Sequence, residues 1–535
     1  MLVKQFRQIV VWPVQLMPVK AGAPVQRHWE ALDRIQEGNP WRLWQGKFDL
    51  GATDFQERHY KEFVTFLPFV QRFLYGSPAG QESGVHAQSS IRVYRRSDVT
   101  HTRLTFPDGF VHEFAIHRCD LYFFHDADVL IVVLEISAED LPLERAQDVM
   151  FRFARAYPAF WQRDGQPGNC MRRVEWLNEN GQVLAVSDYE KRQRYLDHVA
   201  SYRTPCLASH LSWLIEPLGQ EYPGQTAALR YRQLEYYRMP FMAYLAFDDP
   251  HRLTRADFVR LALVTRPGSS EELEYSEESL KNFEVDYCDD RFWGRGNTRL
   301  SGETRLICTG RTIAMVGEHH NPFFSGQETG VLGQFRHQYF LLFLIAHFSK
   351  ATLLSISDEL AVAMNRLSVG ETESVKEFKR TIRQSMEVFL RFTHRYWFHN
   401  VSNQDQGRFL FRRLREQLRN DELYDEVRTE VMDMSTYLDT DSNRRQANTV
   451  LRLTVVTIVG LIGTIVTGFL GMNLLAEADA TLGRRITLFL LVLAATAAVT
   501  VLTIVKSKRL ADFIDALSDE RISWTRKWRV WKKVW

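Results

Sequence analysis

The chain has 535 residues, 45% of them hydrophobic and 25% charged, and its formal net charge is only +2. These fractions are typical of a globular protein, and the length suggests more than one folding unit. The nearly neutral charge argues against nucleic acid as the main partner. Five scattered cysteines form no Cys-x-x-Cys pair, so we expect a reduced cytosolic body without a zinc site or disulfide framework.

Residues 1–333 are predicted to form a cytosolic domain of the α/β (α+β) class. Helical periodicity marks Phe63–Phe73 and Leu141–Trp161, Asp120–Asp128 is predicted as a connection, and Phe258–Thr265 fits either a strand or a short helix. The strand-like segments are Phe6–Leu16, Ile91–Arg95, Thr102–Phe106, Phe110–Ile116, Val129–Leu134, Asn169–Val186, Pro240–Ala246 and Arg305–Val316. A polar connection is expected between residues 186 and 240. This order of elements favours strands and helices packed in layers.

Three motifs in this part resemble binding sites but favour structural roles. Gly326–Gly333 contains three glycines before a helix, yet lacks the Lys and Ser/Thr of a phosphate loop, so it is interpreted as a linker. His, Cys and Asp residues cluster in His112–Asp128, where alternating strand positions would place them on both faces. His319 and His320 are expected in a loop. No nucleophile motif is present, so the sequence predicts no enzyme and no cofactor.

Residues 334–449 are predicted to be helical and to end in a stalk helix. The helical stretches are Gln334–Leu367, Val375–Phe398 and Asp405–Asp439, and the apolar run Tyr339–Ile345 is predicted to be a buried core helix. An apolar stripe at spacings of three and four residues comprises Leu423, Val427, Val431, Met434 and Leu438. No break separates Glu430 from the next apolar run, so one helix is expected to continue into it.

Two apolar runs near the C-terminus are long enough to cross a bilayer. Twenty-four residues without charge separate Arg452 from Glu477, and twenty more, 486–505, separate Arg485 from Lys506. A bilayer core about 30 Å thick needs roughly 20 apolar helical residues. The predicted hairpin comprises transmembrane helices 450–475 and 486–505 joined by an external loop, 476–485.

The distribution of basic residues predicts the orientation of this hairpin. Six Lys or Arg side chains flank its two ends, against two in the connecting loop. Because cytoplasmic flanks carry the excess of positive charge, both chain termini are predicted to be cytoplasmic in an inner or plasma membrane.

One face of the first span has the composition of a pore lining. Residues at spacings of three or four share that face, and they are uncharged, with hydroxyls and small side chains among them. They are Val450, Leu453, Thr457, Leu461, Thr464, Gly468 and Gly471. One hairpin cannot enclose a pore, but several copies in a closed ring could. Close helix packing is the alternative reading of the same small residues and threonines.

The span ends in Gly471, Met472 and Asn473. An Asn at this point can direct an amide oxygen towards the ring axis, and a ring of such oxygens suits a dication that keeps its water, such as Mg²⁺. A glycine and an asparagine can also simply terminate a helix.

The arrangement resembles the CorA family of divalent-cation channels. The sequence Thr467–Asn473 ends the first of two C-terminal spans, and its Gly471-Met472-Asn473 matches the family's signature letter for letter. The segment from Tyr437 through Asn448 to Leu451 also resembles the family's approach to that span. The clear resemblance covers residues 437–509.

The resemblance implies a homopentameric channel driven by the membrane potential. Asn473 would form the outer selectivity ring and bind the ion through its waters. Thr464 and Gly468 occupy pore-lining positions of the family, and Leu453 and Leu461 stand where its hydrophobic constriction lies. The family also binds regulatory Mg²⁺ between cytosolic acids, and this sequence does not identify them.

The chain departs from the family pattern after the signature. Leu470 replaces the usual aromatic residue, and the acidic Met-Pro-Glu element is absent. Glu477 and Asp479 of the loop could concentrate cations at the pore mouth, or could be solvated loop acids. The tail 506–535 carries Trp524, Trp528, Trp531 and Trp535 among basic residues, which favours a helix lying on anionic lipid.

Three functions are compatible with these features. The first is a channel for Mg²⁺, with Co²⁺ or Ni²⁺ as further ions, and the second is a proton-coupled zinc transporter of the ZntB type. The third is a membrane-tethered binding or regulatory protein whose hairpin only oligomerises it. Ion uptake across a pH gradient separates the first two, and absence of flux would favour the third.

Overall fold

The computed structural model describes residues 1–19, 27–35, 38–44, 57–76, 90–235, 238–268, 273, 275–294, 303–367, 372–471, 481–487, 489–498 and 501. The chain divides into two compact units, Met1–Val431 and Met432–Trp535.

The first unit contains fourteen strands. They are β1 Leu2–Leu16, β2 Trp41–Leu43, β3 Ile91–Arg96, β4 His101–Thr105, β5 Val111–Phe124, β6 Val129–Pro142, β7 Arg173–Leu177, β8 Val183–Val186, β9 Gly219–Gln220, β10 Arg230–Gln233, β11 Phe241–Phe247, β12 Cys288–Phe292, β13 Thr304–Cys308 and β14 Thr312–Glu318.

Fourteen α-helices lie between residues 28 and 471 of the described chain. They are α1 His28–Arg34, α2 Glu57–Thr65, α3 Pro68–Tyr75, α4 Leu143–Arg152, α5 Arg192–Tyr202, α6 Ser209–Leu214, α7 Arg255–Leu263, α8 Glu277–Tyr287, α9 Pro322–Ser325, α10 Val331–Arg336, α11 Gln338–Arg366, α12 Thr372–Arg395, α13 Asp405–Leu418 and α14 Asn420–Gly471. Residues 482–487 and 489–498 are helical as well. The mixed α/β character predicted for the N-terminal part is confirmed.

All fourteen strands join one sheet organised around β1. The main order is β12-β13-β14-β11-β1-β6-β5-β4-β7-β8, with β10 beside the end of β1 and β3 beside β5. β1 runs antiparallel to β6 in unbroken register from Leu2 opposite Pro142 to Gln15 opposite Val129. The valine- and isoleucine-rich composition of both strands explains this pairing, because such residues fit a pleated sheet buried on both faces.

Helices cover both faces of the central strands. α4 packs on β1 and β6, and α11 packs on the same two strands. Phe6, Val10 and Trp12 of β1 belong to the main core, whereas Ile9 and Val11, which alternate with them, are also fully buried. Since successive side chains of a strand point to opposite faces, the unit has helix, sheet and helix layers.

The core helix α11 is strongly apolar. Among the described residues, Val331–Arg366 is the one helical stretch long and apolar enough to cross a membrane, and 78% of its apolar window is buried inside the protein. The prediction that Tyr339–Ile345 belongs to a buried core helix is therefore confirmed.

One buried carboxylate joins three strands to a helix. Glu135 of β6 is 1% exposed and accepts hydrogen bonds from Arg7 of β1 at 3.1 Å and Arg336 of α10 at 2.7 Å. Arg118 of β5 lies 2.9 Å from its other oxygen. Burial alone would raise the pKa of Glu135, but Arg118, Arg336 and Arg7 together hold it at about 2.

Several predicted boundaries were wrong, each for a local reason. The helix expected over Phe63–Phe73 is divided at Leu67, because Pro68 begins α3 and disfavours helical geometry at the residue before it. The helix expected to reach Trp161 ends at Arg152. The segment Phe258–Thr265, which fitted either a strand or a short helix, is helical as far as Leu263, the end of α7, whose start is fixed by a capping box of Thr254 and Asp257.

Two connections contain more structure than predicted. β5 continues to Phe124, so Asp120 lies within a strand, where its buried carboxylate accepts two hydrogen bonds from Arg95. The polar connection between residues 186 and 240 contains α5 and α6. The linker predicted at Gly326–Gly333 joins α9 to α10, although Gly333 already lies inside α10.

The predicted helix Asp405–Asp439 breaks at Arg419, where φ is +55°. The next residue, Asn420, is fully buried and donates a hydrogen bond to the carbonyl of Ala346 on α11 at 3.0 Å. From there α14 continues for 52 residues without interruption to Gly471. The prediction of one helix that continues through Glu430 into the charge-free run is confirmed.

The first turns of α14 are anchored by aromatic packing in the first unit. Tyr424 stacks on Trp397 with ring centroids 4.5 Å apart and on Phe389 at 5.6 Å. Val427 and Val431 of the predicted apolar stripe are buried. The start of α14 is therefore packed against the helical layer rather than merely tethered to it.

Candidate pore-lining face

The first predicted span lies within α14, which ends at Gly471. Met472, Asn473, Glu477 and Asp479 lie outside the described residues, as does the tail 506–535. The structure therefore describes the helix that leads to the Gly-Met-Asn signature and, of the signature itself, the backbone of Gly471.

The predicted pore-lining face is uncovered in the single chain. Val450, Leu453 and Leu461 are 62%, 67% and 61% exposed, and Thr457, Thr464 and Gly468 are exposed as well. A side chain added at Gly468 would meet no described atom within 4 Å. This stripe is available for contact with another subunit, with lipid or with water.

A different face of α14 contacts the second helix of the hairpin. A Cβ built at Gly463 would lie 3.1 Å from the methyl carbon of Thr496, and Gly463 and Val456 are half-buried. Val456 and Gly463 are seven residues apart and therefore share a face of α14. Thr457 and Thr464 each come one residue later, so they lie about 100° around the helix from this contact. Close packing within the hairpin thus uses Gly463, and the predicted stripe is turned away from it.

The stripe threonines present oxygen acceptors. The hydroxyl of Thr457 donates to the carbonyl of Leu453, and that of Thr464 to the carbonyl of Gly460, both at 2.9 Å. Because each donor is used inside the helix, the hydroxyl lone pairs remain to accept hydrogen bonds. Water bound to a cation directs its hydrogens outward, so such a face suits a hydrated ion. Thr454 and Thr467, which lie off the stripe, make the same internal bond.

The metal-like clusters of the sequence have structural partners. Asp126 accepts hydrogen bonds from Arg395 at 2.8 Å and Tyr396 at 3.2 Å, which joins the β5–β6 turn to α12. His319 and His320 form a ring pair with centroids 5.1 Å apart in the turn after β14. Within the described part of the chain, no group of three or more His, Cys, Asp or Glu side chains is placed to hold a metal ion.

Sequence reasoning missed an arginine-lined groove beside α13. Arg291 of β12 and three arginines of α13 line it. The cluster in α13 was visible in the sequence, but its meeting with β12, more than a hundred residues earlier, follows only from the fold.

The apolar part of α14 thus packs on a second apolar helix where Gly463 meets Thr496. The family model described as CorA-like Mg²⁺ transporter protein matches residues 357–509. The resemblance to the CorA family is therefore confirmed over this segment, which runs from the end of α11 through α14 and the second helix. A search of curated proteins found no match to the chain.

The matched family model is described as one of Mg²⁺ transporters. It covers well under half of the chain. The fourteen-stranded sheet lies outside the matched residues.

Proposed function

We propose that the chain is one subunit of a CorA-type homo-oligomeric channel for divalent cations, with Mg²⁺ as the main ion and Co²⁺ or Ni²⁺ as further ions. The observation that carries this proposal is the uninterrupted helix Asn420–Gly471, which links the folded unit to the first residue of the Gly-Met-Asn signature. The family match over the same segment supports it.

In the proposed channel, five copies surround one axis and each contributes its α14 stripe. A closed ring repeats a single surface around the symmetry axis, so every wall of the pore would carry the same residues. The threonine oxygens would accept hydrogen bonds from the ion's water, and Leu453 and Leu461 would form the apolar constriction. The exposure of the stripe and its separation from the hairpin contact support this arrangement.

The proposed selectivity ring is formed by Asn473 beyond the end of α14. Mg²⁺ gives up its water reluctantly, so amide oxygens that accept from bound water would select it without stripping it. Glu477 and Asp479 would raise the local cation concentration at the outer mouth. The driving force is the membrane potential, about 2.3 kcal/mol per elementary charge per 100 mV and twice that for a dication.

The proposed setting is an inner or plasma membrane crossed twice, with both termini cytoplasmic. The basic, Trp-rich tail would rest on the anionic inner leaflet.

The experiment is ion flux through purified full-length protein in proteoliposomes. Mg²⁺, Co²⁺, Ni²⁺ and Zn²⁺ are each supplied with and without an imposed potential. We expect potential-driven Mg²⁺ uptake that is lost in Asn473→Ala and kept in Asn403→Ala, an exposed asparagine of the first unit. Unchanged flux in Asn473→Ala would contradict the proposal.

The same assay separates the other two functions. Zinc uptake that requires a pH gradient would identify a proton-coupled zinc transporter. Absence of flux for all four ions would identify a membrane-tethered binding protein.

A further inference from the structure

A groove of about 780 Å³ lies beside α13 in the first unit. Four arginines line it: Arg291 from β12 and Arg408, Arg412 and Arg415 from α13. We call it the arginine groove. Its volume lies within the range of about 300–1,000 Å³ typical of small-molecule sites.

Two of these arginines stand at the open side. Arg408 and Arg412 are one helical turn apart, so they share a face of α13, and their side chains are 55% and 67% exposed. The Arg291 guanidinium lies 4.5 Å from the ring centroid of Phe409, which also lines the groove. Arg291 also donates hydrogen bonds to both carboxylate oxygens of Asp289, so its charge is already paired and Phe409 packs against a fixed guanidinium.

The fourth arginine is buried and fixed. Arg415 is 7% exposed, donates to the carbonyl of Phe398 at 2.5 Å and stacks on Trp397 at 4.7 Å. It also forms an ion pair with Asp421, whose side chain is 60% exposed at the start of α14. The Arg415 guanidinium is therefore held in place, and its ion pair with Asp421 is the contact that a ligand has to replace.

The acids of the groove are weak competitors. Asp405 and Glu416 pair with Arg408 and Arg412 as neighbours on the same helix, and their side chains are 83% and 51% exposed. Such exposed pairs between neighbours on one helix contribute little to stability. A phosphate group binds a guanidinium through two parallel hydrogen bonds and can displace a single exposed carboxylate.

We propose that the arginine groove binds a small molecule carrying two or more phosphate groups, held by Arg408, Arg412 and Arg415. The ligand competes with Asp405, Glu416 and Asp421 for these guanidiniums. Because Asp421 lies in the first turn of α14, occupancy exchanges a contact between α13 and α14 for a contact with the ligand. The site is independent of the transport function proposed above, since it depends only on residues of the first unit.

Calorimetric titration of the full-length protein tests the site in metal-free buffer at fixed ionic strength. Pyrophosphate and ATP are the probes for a soluble ligand, and inositol trisphosphate is the probe for a phospholipid headgroup. The variants are Arg408→Gln and Arg412→Gln, with Arg380→Gln on α12 as an exposed control outside the groove. Asp405→Asn and Asp421→Asn remove the competing acids.

We expect saturable binding of at least one probe. Each arginine substitution in the groove should weaken it about tenfold, because a charge-assisted pair is lost. Asp405→Asn and Asp421→Asn should strengthen it, and Arg380→Gln should leave it unchanged. No saturable binding, or equal affinities in Arg412→Gln and Arg380→Gln, would overturn the assignment. Because the Arg408 and Arg412 side chains are 55% and 67% exposed, their substitution should leave the fold intact.

Discussion

The methyl carbon of Thr496 lies 3.1 Å from the position that a Cβ of Gly463 would occupy. The two helices of the C-terminal hairpin therefore approach each other closely at a glycine, as small residues allow in membrane helices. This contact fixes which face of α14 is used inside the subunit and leaves the predicted stripe, about 100° away, for other partners.

Gly463→Val should destabilise the hairpin, whereas Gly460→Val should not. The larger side chain at Gly463 must displace Thr496, at a cost of about 1–3 kcal/mol typical of overpacking. At Gly460 no described atom lies within 4 Å of the added Cβ. Thermal unfolding in detergent measures both variants, and equal melting temperatures would show that the Gly463 contact does not hold the hairpin together.

Thr457→Val should lower Mg²⁺ flux, whereas Thr467→Val should leave it near the unsubstituted value. Both hydroxyls donate to a carbonyl of their own helix, so the local change is matched. Only Thr457 lies on the stripe, where its oxygen would accept from the ion's water. Loss of that acceptor should reduce flux about tenfold. The opposite ranking in proteoliposomes would place the stripe away from the pore.

Glu135→Gln should strongly destabilise the first unit. It leaves Arg7, Arg118 and Arg336 together without their carboxylate, and removing one partner of a buried ionic group costs about 3–5 kcal/mol. Glu139→Gln is the control, because Glu139 lies on the same strand but is exposed. Denaturant unfolding should show a lower midpoint for the first variant alone.

The same carboxylate predicts an acid dependence of stability. The pKa of Glu135 is about 2 in the folded protein, below its ordinary value of 4.5. Its contribution is therefore fully present above about pH 4.5 and is lost as the pH falls towards 2. Stability measured from pH 6 downwards should fall less steeply in Glu135→Gln, and parallel curves would contradict this role.

Glu359 predicts a dependence of the opposite sign. Burial first, and then the nearby Asp128, raise the pKa of this α11 carboxyl to about 7, although Ser385 of α12 donates a hydrogen bond to it at 3.1 Å. The folded protein therefore holds a proton that the unfolded chain releases near pH 4.5, so stability should decline as the pH rises from 4.5 to 7. Glu359→Gln should flatten that decline, as followed by thermal unfolding across this range.

The sequence allowed the long helix α14 and the family resemblance to be predicted, because these depend on local patterns. A charge-free run, a helical stripe and a three-residue signature can each be recognised from a stretch of about fifty residues or fewer. The hydrogen bonds from Arg7 and Arg336 to Glu135 were not predictable, because these arginines lie 128 and 201 residues from Glu135 in the chain. Helix α7 was ambiguous because its residues are buried around the whole helix, which removes the amphipathic period.

The most direct test of the central claim is the accessibility of the stripe during transport. Thr464→Cys lies on the stripe, whereas Ile458→Cys lies about 120° away on another exposed part of α14. A water-soluble, positively charged thiol reagent is added while Mg²⁺ flux through proteoliposomes is recorded, with the unsubstituted protein as background. We predict that the reagent blocks flux through Thr464→Cys and spares Ile458→Cys. Block of Ile458→Cys alone, or of neither variant, would contradict a pore lined by this face.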